Sequence, residues 1–537
     1  MAVESELSTP SAAPAAAGVP ASSQRLVAHL PEHLTQRLAR YVTGANGDAV
    51  EVRSPADDAV IGSVPTHTTD DLTALAARAR AAQREWAAWP LRRRRAVVQR
   101  FSDLVLRDSA LAMDVIQAEN GKSRVDALEE TLDVGVYAGR AARLAPAALR
   151  TRRHRGAYPV LTETVEVRHP LGVVGIISPW NYPFTLAASD AVPALLAGNA
   201  VLLKPDLGTP YSALLTLALL REAGLPEGVL QIVIGDGPVV GDALIDHVDY
   251  VMFTGSTATG RHVAQRCASR LIGCSAELGG KNPLVVLPDA DIAAAANGAA
   301  HASFSNAGQL CISMERIYVH EAVAQEFTAA FVAATESLRV GVGASWDLDV
   351  GSLASAAQLE RVQAHVADAV TCGARVLTGG HALPEAGPFV FAPTVLTDVP
   401  QTARLAREET FGPVVSVYVV GSEAEAIARA NDTDYGLNAS LWTRRRSARA
   451  VARQLEAGTV NINEGFAAAW GSHGAPMGGW KSSGLGRRHG VAGIAKYTES
   501  QTISRQRGLP VAPWPGLPRA VYARTVLAAG RVLARWG

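Results

Sequence analysis

From residue 173 the chain settles into a repeating pattern. Short apolar runs are each followed by a longer segment with apolar positions at helical spacing. Residues 173–177, 200–203, 229–234 and 250–253 are the short runs. They are rich in Val, Ile and Leu, too brief for helices, and read as strands. Residues 184–196, 211–223 and 238–245, and a segment from Ser256, read as helices. Fully apolar strands alternating with helices predict a parallel sheet covered on both faces. Such sheets bind ligands at the carboxyl ends of their strands, which directs attention to the residues just after each run.

A second strand and helix series runs from 283 to about 460. It has helices over 322–338 and 357–369, and Pro388, Pro393, Pro400 and Pro413 punctuate its connections. It predicts a second α/β domain. Upstream, residues 71–107 are Ala- and Arg-rich with helical spacing, and the run Arg92 to Arg95 reads as a solvated helix face. Arg150, Arg152, Arg153 and Arg155 precede an alternating strand at 162–167, a segment that suits an exposed arm or a subunit contact. The chain ends with a strand near 497–503 and a basic amphipathic segment over 519–536. That segment is expected to dock on the protein rather than on a membrane.

Composition narrows the function. With 537 residues the chain exceeds the size at which one core stops growing, so two or more domains are expected. Lys plus Arg equals Asp plus Glu, at 50 each, which gives no reason to expect nucleic acid as partner. Four cysteines without a CxxC pair make no disulfide framework, and a reducing cytoplasm fits best. Residues 1–23 are rich in Ala, Pro and Ser and lack the basic start and apolar run of a signal peptide; a disordered tail is expected. The most apolar stretch, 184–203, contains Asp190, Pro193, Gly198 and Asn199 and reads as a soluble helix, turn and strand, not a membrane span. No metal is expected.

The candidate chemistry is a thiol and a carboxylate. Cys311 closes Phe304-Ser305-Asn306-Ala307-Gly308-Gln309-Leu310-Cys311, and Glu277 lies in Ala276-Glu277-Leu278-Gly279-Gly280-Lys281-Asn282-Pro283. A thiol near its free pKa of about 8.5 is mostly protonated at neutral pH and benefits from a nearby base. An isolated Cys is more often a buried small hydrophobe, and an isolated Glu a surface carboxylate. The apolar approach from Leu271 to Cys274 argues that Glu277 is buried. Two stretches after strands suit a phosphate. Gly235-Asp236-Gly237-Pro238-Val239-Val240-Gly241 nearly matches the dinucleotide fingerprint, with its last Gly one place late. Thr254-Gly255-Ser256-Thr257-Ala258-Thr259-Gly260 is either a phosphate contact or an ordinary capped helix start. Lys204-Pro205 adds a cation after a strand.

Together these motifs resemble the aldehyde dehydrogenase superfamily. The resemblance rests on Pro179-Trp180-Asn181-Tyr182-Pro183, on Gly198-Asn199-Ala200-Val201-Leu202-Leu203-Lys204-Pro205, on Phe253-Thr254-Gly255-Ser256, and on the Glu277 and Cys311 stretches. Downstream it adds Glu409-Thr410-Phe411-Gly412-Pro413 and Pro476-Met477-Gly478-Gly479-Trp480-Lys481-Ser482-Ser483-Gly484. It spans about residues 50 to 505, in family order.

The resemblance implies an α/β fold with a Rossmann-type cofactor domain, an α/β catalytic domain and a small β oligomerisation arm. By that carry-over, 1–24 is a tail, 25–150 with 168–286 binds the cofactor, and 287–480 is catalytic. Residues 151–167 with 495–508 form the arm, and 509–537 is a C-terminal extension. The implied reaction is oxidation of an aldehyde to a carboxylic acid with nicotinamide as hydride acceptor, in a cytoplasmic homo-oligomer. Cys311 is implied as nucleophile, the Asn181 amide with the Cys311 backbone N–H as oxyanion donors, and Glu277 as the base for the hydrolytic water. Glu409 is implied at the nicotinamide ribose and Phe411 near the ring. Trp180, Lys204, Pro205, Asp206, Leu207, Gly255, Ser256 and Leu278 are implied along the rest of the cofactor. Cys267, Cys274 and Cys372 match no functional position and read as structural.

NAD-preferring members often carry a Glu where Leu207 stands. Leu207 offers a ribose no acceptor and a 2′-phosphate no repulsion, which favours NADP over NAD, although Asp206 adds a negative charge beside it. The wider sequence is most similar to the actinobacterial type of NADP-dependent succinate-semialdehyde dehydrogenase. Better-known semialdehyde members bind the distal carboxylate with two arginines, and here those places hold Asp190 and Ser305. Either another cation, such as Arg316 or His473, binds the carboxylate, or the substrate is a neutral long-chain or aromatic aldehyde in a pocket of Trp180, Tyr182, Phe466 and Trp470, with NAD. Two rival classes share parts of this pattern. A cysteine hydrolase would want a His near the thiol and would not need Lys204, Ser256 or Glu409. A non-catalytic structural protein of this fold would not need Cys311, Glu277 and Asn181 together.

Overall fold

The structure, a computed structural model, describes residues 30–158 and 161–536. The expected tail, 1–24, lies outside the described residues. The largely buried strands Val173–Ile177, Ala200–Lys204, Leu230–Ile232, Tyr250–Thr254 and Gly273–Glu277 form one parallel sheet. Its order runs from 273–277 through 250–254, 173–177 and 200–204 to 230–232, and the short strand Gly484–Leu485 adds antiparallel to Glu277. Strand order therefore reverses between 173–177 and 250–254, the place where a doubly wound sheet opens a crevice.

The second sheet has seven strands, ordered 375–378, 394–397, 414–420, 314–320, 282–286, 438–442 and 459–462. It is parallel apart from its edge strand Arg375–Thr378. The chain leaves the first sheet at Glu277 and enters the second at Asn282. The carboxyl ends of the first sheet thus face the amino ends of the second, and everything at that junction is within reach of both. A third, three-stranded antiparallel sheet joins Arg152–Arg155, Thr162–Pro170 and Thr498–Gln506.

Several local readings change. The expected helix 238–245 is a π-turn at Gly237–Gly241 followed by single turns to His247. The arginine run is not simply a solvated face. Arg94 is buried, and its guanidinium donates to the carbonyls of Leu196, Ala87 and Trp89, satisfying helix-end acceptors. Leu271 is 95% exposed, so the apolar approach is not what buries Glu277. The flanking strands 250–254 and 484–485 do that instead. The C-terminal segment does form a helix, Arg519–Trp536; one side of it, Tyr522, Val526 and Leu533, is half-buried, with Tyr522 against Trp514 and beside Tyr158, and the rest of the helix is exposed.

Candidate active site

The thiol is placed by a strained turn. After the helix Ile292–Phe304, Asn306 and Ala307 take left-handed backbone angles (φ 50° and 53°), and Gly308 follows at φ 70°. A Cβ at Gly308 would collide with the Gly412 carbonyl, so this position requires glycine. Asn282, at the start of its strand, donates from Nδ2 to the carbonyls of Cys311 (2.8 Å) and Ser313 (2.7 Å). The thiol loop is thereby pinned to the junction of the two sheets.

Asn181 follows the strand 173–177 and precedes the buried helix Pro183–Ala197. Its Nδ2 donates to the Gln309 carbonyl (2.9 Å), which leaves the second amide hydrogen free. Its own carbonyl accepts from Lys122 Nζ and Asn306 Nδ2, both at 2.9 Å. Lys122 is wholly buried and ion-paired with Glu130 (2.6 Å). The other Glu130 oxygen accepts the backbone N–H groups of Phe184 and Thr185, capping the helix that follows Asn181. Lys122, Glu130 and Asn306 thus hold Asn181 against the thiol loop. Nothing in the local sequence pattern singles them out, because their partners lie on other elements.

Glu277 is 3% exposed, and neither carboxylate oxygen has a hydrogen-bond partner. Burial pushes its pKa up to about 7, while Arg488 and Lys496 pull it back and Asp190 adds to the rise. Cys311 is pushed up to about 12, first by burial and then by Glu409 and Glu277, with Arg488 opposing. Arg488 is buried, pairs with Asp190 at 2.7 Å and donates to Thr254 Oγ1.

Two cavities meet at this point. The larger, about 630 Å³, is lined by Trp180, Gly255, Ser256, Glu277, Leu278, Glu409 and Phe411, among others. The smaller, about 320 Å³, is lined by Leu132, Tyr182, Leu186, Phe466, Trp470 and His473, among others. Asn181 and Cys311 are the residues that line both.

Of the residues expected along a cofactor, six gather in the larger cavity. Trp180 and Phe411 pack edge to face at 5.5 Å. Glu409 accepts the Gly280 N–H with Oε1 (2.8 Å), and a Cβ on Gly279 would strike its Oε2. Burial and Glu315 raise Glu409 to about 8. Glu315 in turn anchors the 409–411 loop, pairing with Lys281 and accepting the Thr410 and Phe411 N–H groups. Ser256 caps the helix Thr257–Ser269 by accepting from Thr259 N (3.2 Å), and Gly255 is kept small by the Phe253 ring. A helix amino end, an unshared carboxylate oxygen and an aromatic pair fit a nucleotide with a pyrophosphate and a flat ring.

Lys204, Pro205, Asp206 and Leu207 do not line that cavity. They follow the next strand of the sheet, where buried Lys204 donates to the Pro205 carbonyl and its stem lies beside Gly241. Burial lowers the Lys204 pKa. Asp206 accepts from Gly208 N, and Leu207 packs on the core.

The two replaced arginine positions stay out of the smaller cavity. Asp190 is consumed by Arg488, and Ser305 donates to the His301 carbonyl (2.8 Å). Arg316 is also excluded as an anion binder, since its guanidinium donates to the carbonyls of Lys281, Arg429 and Ala430. His473 does line the cavity and donates Nε2–H to Asp133 (2.8 Å).

The profile of the aldehyde dehydrogenase family matches residues 41–503, and the chain belongs to that family. A Mycolicibacterium smegmatis protein named "Putative succinate-semialdehyde dehydrogenase, NADP(+)" is 52% identical over 86% of this chain and 90% of its own. A glutarate-semialdehyde dehydrogenase of Pseudomonas putida is 37% identical over 84% and 94%. Among solved structures, a succinate-semialdehyde dehydrogenase from Burkholderia pseudomallei superposes with TM-score 0.82 at 35% identity, covering 86% of this chain and 95% of that one.

Proposed function

We propose that this aldehyde dehydrogenase oxidises succinate semialdehyde to succinate with NADP, through a thiohemiacetal and a thioester on Cys311. The observation that carries the mechanism is the meeting of two cavities at Cys311 and Asn181, one roomy enough for a nucleotide and one for a small aldehyde. Glu277, acting through water, removes the thiol proton, and the sulfur bonds to the carbonyl carbon. The oxyanion is met by the free hydrogen of the Asn181 amide and the Cys311 N–H; one such donor is typically worth about 3 kcal/mol in the transition state. NADP supplies the hydride acceptor when bound, held by Glu409, Phe411, Trp180, Leu278, Gly255 and Ser256, with the 204–207 turn toward the adenosine end. Water then attacks the thioester carbonyl, Glu277 takes its proton, and Cys311 leaves as thiolate.

The substrate and NADP rest on the relatives' names and on Leu207. A second reading, a long-chain or aromatic aldehyde with NAD, is favoured by the smaller cavity: its lining has no Lys or Arg and includes Tyr182, Phe466 and Trp470. Absorbance at 340 nm, with succinate semialdehyde and a medium-chain aldehyde each tested against both cofactors, separates the readings. A higher kcat/KM for succinate semialdehyde with NADP supports the first; a higher value for the apolar aldehyde overturns it.

A further inference from the structure

Charge is unevenly spread along this chain. Residues 500–537 contain six arginines and neither Asp nor Glu, within a protein whose acidic and basic residues balance. Most of this stretch lies beyond the family match, which ends at 503. Its last element is the helix Arg519–Trp536. Arg519, Arg524, Arg531 and Arg535 have no ion-pair partner among the described residues.

The helix presents two different sides. Tyr522, Val526 and Leu533 are half-buried, and Tyr522 packs edge to face with Trp514. The opposite side is open. At 3.6 residues per turn, Arg524, Arg531 and Arg535 share one stripe, with Val521 and Val532 on one side of it and Leu527 on the other. Leu527 is 64% exposed and Val532 59%. Leu509 and Val511, just upstream, are exposed as well. Arginines flanked by bare aliphatic side chains match the boundary between phospholipid headgroups and acyl chains: the guanidinium reaches phosphate while the aliphatic groups enter hydrocarbon. No helix of the described residues is long and apolar enough to cross a membrane, so the helix would lie along the surface. A second copy of the same stripe would meet it with like charge.

We infer that the helix Arg519–Trp536 docks this enzyme on an anionic phospholipid surface. The open arginine stripe sets the preference for negative headgroups, and Val521, Leu527 and Val532 supply the insertion. Each arginine near such a surface contributes about fivefold in partitioning, and the contribution falls as salt rises.

Co-sedimentation of the full chain with vesicles tests this. Binding is expected to phosphatidylcholine vesicles containing phosphatidylglycerol, weakening with salt, and not to phosphatidylcholine alone. The triple variant Arg524→Ala, Arg531→Ala, Arg535→Ala should bind roughly a hundredfold more weakly, while its NADPH-forming rate and its mass by light scattering stay unchanged. The pair Val521→Ser, Val532→Ser should also weaken binding, with the charge intact. Failure of the full chain to bind the anionic vesicles overturns the inference. So does undiminished binding by the triple variant, or a change in its oligomeric mass, which would assign the stripe to a second copy.

Discussion

The Arg488 guanidinium and the Asp190 carboxylate, 2.7 Å apart and both buried, join the loop after residue 486 to the helix that follows Asn181. Arg488 is also the strongest opponent of the burial that raises both Glu277 and Cys311. One ion pair therefore supports the fold and biases the two candidate reacting groups.

Removing one partner leaves an uncompensated buried charge, a loss of about 3–5 kcal/mol. Arg488→Met should lower the urea midpoint accordingly. The same substitution removes the positive charge near Glu277, so the rising limb of the pH–kcat profile should move to higher pH. Asp190→Asn should destabilise similarly but move that limb down, because Asp190 raises Glu277.

Glu277 must be ionised to accept a proton from water, and its pKa is about 7. The hydrolysis rate should therefore rise as pH passes through about 7. Glu277→Gln should lower kcat by roughly 10²–10⁴-fold, and NADPH in a single turnover should also form more slowly, because the same carboxylate takes the thiol proton. Stability carries the opposite sign. Because the folded carboxyl is raised, the native state holds its proton longer than the unfolded chain, and stability declines between the ordinary carboxylate pKa and about 7. Above pH 7 the Gln variant should melt at a higher temperature than the wild type.

Cys311, pushed up to about 12, should be alkylated slowly in the free enzyme, at a rate that climbs about tenfold per pH unit. The hydrogen bond with Cys267 lowers the pKa of the half-buried Cys274, against the effect of its burial. Mass spectrometry after brief iodoacetamide treatment at pH 7 should find Cys274 labelled ahead of Cys311. Cys311→Ser should abolish NADPH formation whatever the aldehyde.

Leu207→Glu places a carboxylate where a 2′-phosphate would be repelled and a ribose hydroxyl accepted. The ratio of kcat/KM for NADP to that for NAD should fall by about tenfold or more, roughly 1.4 kcal/mol. An unchanged ratio would show that the 204–207 turn does not meet the adenosine end.

His473 is the one residue lining the smaller cavity that can carry a positive charge. His473→Leu should raise KM for succinate semialdehyde and leave KM for a neutral aldehyde unmoved. Equal effects on both would favour the apolar reading.

Much of this was legible in one dimension. Apolar runs such as 173–177 and 200–203 are buried on both faces, so their composition alone announces a parallel sheet. The motifs around Cys311, Glu277 and Asn181 mark the candidate site because turns, caps and close backbone approaches restrict which residue types fit, as at Gly308. The arginine run misled, because whether Arg94 is solvated depends on helix-end carbonyls distant in sequence.

The sequence by itself determined the fold class and the family, and it named the residues proposed to bear the chemistry, since those depend on local pattern and motif order. Tertiary structure decided the rest: that Asp190 belongs to Arg488 rather than to a substrate, that Arg316 is spent on carbonyls, that Lys122 and Glu130 hold Asn181, and that the last helix leaves its arginine side open. Each of these depends on which side chains meet across long separations, and burial, pairing and pKa arise from that meeting rather than from neighbours along the chain.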